Sequence, residues 1–68
     1  MKGSMNYSMF CLAELLRIKY PDLETDLLWD LVQKHYVWFR ESEYDNPNQS
    51  EYDCMEAYVM SLKGEPNV

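Results

Sequence analysis

The segment LLWDLVQKHYVWFR, residues 27–40, restricts the fold of this chain more than any other stretch. At 100° per residue its apolar side chains and one histidine span about 200° of a helix, in the order Leu27, Trp38, Leu31, His35, Leu28, Phe39, Val32, Tyr36 and Trp29. The remaining arc is polar except for Val37. The pattern predicts one long amphipathic helix that begins near Asp22 or Thr25 and ends near Ser42, with Asp22 as a candidate cap.

A second helix is predicted before the YPD turn, over the segment MFCLAELLRIKY, because Pro21 disfavours helical geometry at the residue before it. Ser8 or Asn6 is the expected N-terminal cap. The apolar face of this helix has a central row and a flanking row: Met9, Leu12, Ala13, Leu16 and Tyr20 in the first, and Cys11, Leu15 and Ile18 in the second.

A third helix is predicted between Ser50 and Lys63. Ser50 followed three residues later by Asp53 resembles a capping box with a shorter acid, and Lys63 before Gly64 is typical of a helix C-terminus. One face of this helix is apolar and consists of Tyr52, Cys54, Met55, Tyr58, Val59 and Leu62.

These patterns predict an all-α fold, a small three-helix domain over residues 5–64. The first four residues, MKGS, precede a second methionine and are interpreted as a tag remnant, and residues 65–68 as a C-terminal tail. A domain of about 60 residues buries only about 60% of its unfolded surface, so its core is marginal without additional support.

The apolar arc on residues 27–39 is wider than the stripe of somewhat more than 100° that an ordinary surface helix shows. We therefore expect a helical homodimer, although each aromatic taken singly could equally fill the core of one chain. The predicted partner or dimer interface is Leu28, Trp29, Val32, Tyr36, Trp38 and Phe39. Within the arc, Trp29 and Tyr36 lie at the edge and are expected to make contacts, whereas Leu31 and His35 lie inside and are expected in the core.

Charge is concentrated in one region of this acidic chain, whose formal net charge is -6. Residues 41–58 contain six acids and no base: Glu41, Glu43, Asp45, Glu51, Asp53 and Glu56. Acidic side chains repel phosphates, so direct nucleic-acid binding is disfavoured. We interpret the six as solvated surface, with an acidic contact surface as the alternative.

The sequence contains few residues that could form a catalytic or metal-binding site. His35 is the single histidine and lies in the apolar arc, so a core or interface role is favoured over a general base. Cys11 and Cys54 do not form a zinc-binding pattern and do not indicate a disulfide framework. We predict a protein without enzymatic activity, cofactor or metal, located in a reducing cytoplasm and not in a membrane.

From MNYSMFCLAELLRIKYPDL to LKGEPNV, the chain resembles the small early proteins encoded between the exonuclease and excisionase genes of lambda-like temperate bacteriophages. The resemblance covers everything after residue 4 and rests on overall similarity and length, without a catalytic or binding motif. It implies a bacterial host cytoplasm, expression soon after prophage induction, and a role in favouring lytic development or disturbing the host cell cycle.

Three functions compete at this level. The first is a homodimeric interaction protein that binds an unidentified host or phage protein. The second is a helix-turn-helix regulator, in which residues 22–42 would be the recognition helix despite five acids against two cations. The third is an acidic nucleic-acid mimic that occupies a DNA-binding protein through residues 41–56.

Overall fold

The computed structural model describes residues 7–63, which form three α-helices in the order α1 (Tyr7–Lys19), α2 (Thr25–Arg40) and α3 (Glu51–Ser61). No strand occurs within this range. The predicted all-α, three-helix fold is therefore confirmed. The predicted tag remnant at residues 1–4, the alternative cap Asn6, the Gly64 stop and the tail at 65–68 lie outside the described residues.

α1 begins two residues earlier than the sequence pattern predicted. Because it starts at Tyr7, Ser8 lies within the helix, and the prediction that Ser8 caps it is wrong. At the other end, the Tyr20 N–H donates to the Leu16 carbonyl at 2.8 Å, and the Leu23 N–H donates to the Tyr20 carbonyl at 3.2 Å. This closes the turn containing Pro21 and directs the chain into α2.

α2 is shorter at both ends than residues 22–42, the widest range that the sequence pattern predicted for it. It begins at Thr25 after an extended Glu24, which caps it without a side-chain hydrogen bond, so the prediction of Asp22 as the cap is wrong. The turn closed by Leu23 separates Asp22 from the first helical N–H groups. At the C-terminus, the Ser42 hydroxyl donates to the Phe39 carbonyl at 2.8 Å and so supplies a partner to one of the last carbonyls.

α3 begins where the sequence indicated. The Asp53 N–H donates to the Ser50 hydroxyl at 3.1 Å, which confirms Ser50 as the cap. Glu51 and Asp53 lie in the first turn, where the helix dipole favours negative charge. The helix ends at Ser61, and the Leu62 N–H donates to the Val59 carbonyl at 3.1 Å.

The core is organised around α1, which packs against both α2 and α3. Each helix contributes one buried set: Cys11, Leu12, Ala13, Leu15 and Leu16 from α1, Leu28, Leu31, Val32, His35 and Phe39 from α2, and Cys54, Met55, Tyr58 and Val59 from α3. Met9, Tyr20, Leu23, Trp29, Tyr36 and Leu62 are partly buried against it. Burial of Leu31 and His35 is as predicted for the inner part of the α2 arc.

Three of the six predicted interface residues belong to this core. Leu28, Val32 and Phe39 are buried within a single chain, and Phe39 and Val32 have no exposed surface. These three side chains pack in the core of one chain, so they are not on its surface, where the predicted seam with a second chain would need them. The wide α2 arc is divided: its middle fills the core, and the side chains at its edges remain partly exposed.

Candidate partner-binding surface

Tyr58 of α3 lies at the centre of an aromatic cluster that joins α3 to α2. Its hydroxyl and His35 Nδ1 are 2.8 Å apart and share a buried hydrogen bond. The Tyr58 ring makes edge-to-face contacts with His35 and Phe39, each at 5.6 Å between ring centroids, and with Tyr44 at 5.9 Å. Such contacts are typically worth about 0.5–1.5 kcal/mol beyond the area they bury, so the cluster fixes α3 against α2.

Burial sets the protonation of the hydrogen-bonded pair. It lowers the pKa of His35, with a smaller contribution in the same direction from the nearby Lys34 charge. Burial also raises the pKa of Tyr58. Both groups are therefore neutral near pH 7, and a hydrogen bond in either direction between them leaves no buried charge. Among residues 7–63, no buried side-chain nitrogen or oxygen lacks a hydrogen-bond partner.

Two half-exposed rings extend this cluster to the surface. Trp38 is 52% exposed, and its ring meets His35 edge-on at 5.1 Å. Tyr44, in the α2–α3 loop, is 38% exposed and rests on Tyr58. We call Trp38 and Tyr44 the aromatic patch; each ring is held from beneath by one member of the buried His35–Tyr58 pair.

The other predicted contact residues of α2 are less available. Trp29 and Tyr36 are partly buried and pack against the core, which fits their place at the edge of the predicted arc. The Arg40 guanidinium lies 5.7 Å from the centre of the Tyr36 ring, within cation–π range, so one side of Tyr36 is covered. Val37, the apolar residue on the polar arc, is 51% exposed.

The six predicted acidic residues do not form one uniform surface. Arg40 reaches across the loop to Asp45, at 3.5 Å between Nε and Oδ2, and to Glu51, at 2.9 Å between Nη1 and Oε2. These two acids are therefore compensated by a base that precedes the acidic stretch in the sequence. The other four have exposed side chains and no ion pair among the described residues: Glu41, Glu43, Asp53 and Glu56.

An apolar groove between α1 and α3 is the second surface feature. Its volume is about 340 Å³, and seven residues line it: Leu15, Ile18, Lys19, Tyr52, Glu56, Val59 and Met60. Leu15 and Val59 are buried and form its floor, whereas Ile18 and Met60 are 73% and 74% exposed. We call these seven residues the α1–α3 groove.

Sequence analysis did not identify this groove as a site. Tyr52, which the sequence pattern placed on the apolar face of α3, is 46% exposed. Ile18 was correctly placed beside the central apolar row of α1, but its exposure depends on where α3 crosses. The available signal was the excess apolar width of α1 beyond one face, which indicated a further contact without showing where it lies.

Neither a metal-binding cluster nor an exposed thiol occurs within residues 7–63. No group of three or more His, Cys, Asp or Glu side chains in this range could hold a metal ion. Cys11 and Cys54 are buried free thiols, and the Cys54 Sγ lies 3.5 Å from Gln49 Oε1 and 3.6 Å from the Asn46 carbonyl. None of the three helices is both long and apolar enough to cross a membrane.

No protein-family model matches this chain, and neither does any curated protein or solved structure.

Proposed function

We propose that this protein is a small non-enzymatic phage early protein that acts by binding another protein in the bacterial host cytoplasm. In this proposal it works as a homodimer and, as the resemblance to phage early proteins implies, favours lytic development or disturbs the host cell cycle. The observation that carries the binding role is the aromatic patch, two half-exposed rings fixed from beneath by the His35–Tyr58 pair.

Rigid, half-exposed aromatic side chains are suited to protein recognition. Tyrosine and tryptophan are enriched among residues that dominate binding energy, and a ring already held in place loses little conformational entropy when a partner covers it. Trp38 and Tyr44 meet this description because each contacts a buried ring. Glu41 and Glu43 lie between them in the chain and are exposed, so the preferred partner presents an apolar surface bordered by basic residues.

The nucleic-acid alternatives receive less support. A recognition helix needs a free face with basic residues, but α2 buries five side chains along its length and contributes Lys34 and Arg40 as its cations. For an acidic mimic, Arg40 neutralises Asp45 and Glu51, which interrupts the row of negative charges. We expect no retardation of phage or random DNA duplexes in a gel-shift titration at low salt; saturable, sequence-selective retardation would favour the regulator.

Affinity capture with matched variants tests the binding role. The wild-type chain, Trp38→Ala and Val37→Ala are immobilised and exposed to extracts of bacterial host cells after prophage induction, and captured proteins are quantified by mass spectrometry. Val37 is a matched control because it is adjacent and equally exposed, but has no ring contact with the cluster. We expect a captured protein whose yield falls about tenfold or more with Trp38→Ala and stays unchanged with Val37→Ala.

Circular dichroism of the three baits checks that all are folded. Equal capture of every bound protein by wild type and folded Trp38→Ala would contradict the role of the aromatic patch.

A further inference from the structure

The α1–α3 groove is an exposed apolar feature of residues 7–63 that the aromatic patch does not account for. Ile18 and Met60 project beside a floor of buried Leu15 and Val59, and Tyr52 extends the same surface along α3. Isolated apolar side chains are normal on a protein surface, but a contiguous apolar groove marks a contact site. The remaining question is which molecule covers it.

The charged residues that line the groove indicate what kind of molecule binds there. Lys19 of α1 and Glu56 of α3 both line it, one base and one acid contributed by different helices. Within residues 7–63 neither forms an ion pair, and the Lys19 ammonium lies 5.8 Å from the centre of the Tyr20 ring. A strongly basic or strongly acidic partner would match one of these charges and oppose the other, so the groove favours a surface that carries one charge of each sign.

A second copy of this chain provides such a surface by symmetry. In a two-fold dimer the same surface is used by both copies, and whatever residue i contacts in its partner is contacted again in reverse. If α1 of one copy lies along α3 of the other, Lys19 of each copy faces Glu56 of the other copy, which gives two ion pairs. Ile18 and Met60 of both copies are then buried between the two grooves. Each pair is then an attractive contact within an interface whose apolar centre excludes water.

Net charge also favours the α1–α3 groove over the aromatic patch as the surface for self-association. Each copy carries a formal charge of -6, so self-association needs a face on which the charges balance locally. The groove lining has that balance. Glu41 and Glu43 lie between Trp38 and Tyr44 in the chain and are exposed, so the segment that carries the aromatic patch is acidic and suits a basic partner better than a second acidic copy.

We infer that a second copy of this chain docks on the α1–α3 groove through Ile18, Met60 and reciprocal Lys19–Glu56 pairs. The inference rests on the homodimer in the proposed function and moves its interface from α2 to α1 and α3.

Charge exchange tests this arrangement without altering the core. Dimer dissociation constants are measured by sedimentation equilibrium for wild type, Lys19→Glu, Glu56→Lys and the double variant. Each single exchange places like charges together twice per dimer, so we expect the dissociation constant to rise roughly tenfold. The double variant restores opposite charges and should return to within about threefold of wild type.

Two further variants complete the design. Arg17→Glu makes the same charge change as Lys19→Glu in the last turn of α1 but does not line the groove, so it should leave dimerisation unchanged. Ile18→Asp places a charge in the apolar centre and should remove the dimer at micromolar concentration, while circular dichroism shows a folded monomer.

The outcomes separate the groove from the proposed function. A wild-type dimer that survives all groove variants would overturn the groove assignment and leave the homodimer standing. Failure of the double exchange to recover would overturn the Lys19–Glu56 pairing on which the inference depends. A wild-type chain that is monomeric throughout would overturn both the groove assignment and the homodimer, and capture through Trp38 would remain to be judged by its own experiment.

Discussion

Around Tyr58, α3 meets α2 through ring contacts and a hydrogen bond, whereas toward α1 the same helix borders an open groove of about 340 Å³. We call the first region the closed region, because its buried polar atoms are hydrogen-bonded within one chain and the rings of His35, Phe39 and Tyr58 are buried. The second has a buried floor, but Ile18 and Met60 remain exposed. The comparison separates the apolar residues that stabilise the fold from those left for another molecule.

The largest difference in the free energy of unfolding should be between substitution of a buried core residue and substitution of an exposed groove residue. Leu31→Ala removes a side chain that is 1% exposed, and we expect it to lower the free energy of unfolding by about 2–5 kcal/mol. Ile18→Ala, at an exposed position of the groove, should change the free energy of unfolding of the monomer by no more than about 0.5 kcal/mol. Urea denaturation below the dimer dissociation constant measures both, and equal losses would show that the groove belongs to the core.

The hydrogen bond of the closed region should have the next largest effect. Tyr58→Phe keeps the ring contacts but removes the hydroxyl bonded to His35, leaving a buried nitrogen without its partner at a cost of about 1–3 kcal/mol. Tyr52→Phe is the matched control, since it makes the same change on α3 at a half-exposed groove residue. An equal effect of the two substitutions on urea denaturation would contradict the importance assigned to the buried bond.

His35 should make the closed region sensitive to acid. Because burial lowers its pKa in the folded chain, the unfolded state binds the proton more readily, so this contribution is fully present above about pH 6.5 and declines as pH falls below that value. The slope attributable to His35 is at most about 1.4 kcal/mol per pH unit. His35→Gln should lose this component of the pH dependence between pH 7.5 and 5.5, whereas groove variants such as Ile18→Ala should retain it.

Arg40 should have the smallest effect on the closed region. It links the α2–α3 loop, which carries Tyr44, to Asp45 and Glu51, but all three side chains are substantially exposed. We expect Arg40→Gln to lower the free energy of unfolding by about 0.2–1 kcal/mol at low salt, and by less at high salt. Arg17→Gln, which removes a cation from the end of α1, is the control; a loss independent of salt would indicate that packing on Tyr36 matters more than the ion pairs.

Local signals in the sequence predicted the three helices well. Ser50 caps α3 through a hydrogen bond three residues away, and the Pro21 turn separates α1 from α2, because both depend on neighbours in the chain. The caps predicted at Ser8 and Asp22 were wrong because the helices begin elsewhere: α1 at Tyr7, and α2 after the turn closed by Leu23.

The surfaces were harder to predict, since they depend on which helix covers which face. A helical wheel places Phe39 and Trp38 in the same apolar arc, but in the fold Phe39 is fully buried against Tyr58 of α3 and Trp38 is half exposed. Likewise, Tyr52 and Tyr58 share a predicted face of α3, and only Tyr58 meets α2. Burial of the edge and groove residues depends on contacts between distant parts of the chain, which periodicity does not encode.

The exposed apolar residues of the α1–α3 groove are expected to be used for assembly of two copies. Multi-angle light scattering of wild type, Ile18→Asp and Trp38→Ala, across a micromolar concentration series, measures this in one experiment. We expect a molar mass near twice the 8.2 kDa of one chain for wild type and Trp38→Ala, and near 8.2 kDa for Ile18→Asp. A wild-type mass of 8.2 kDa at every concentration would contradict it.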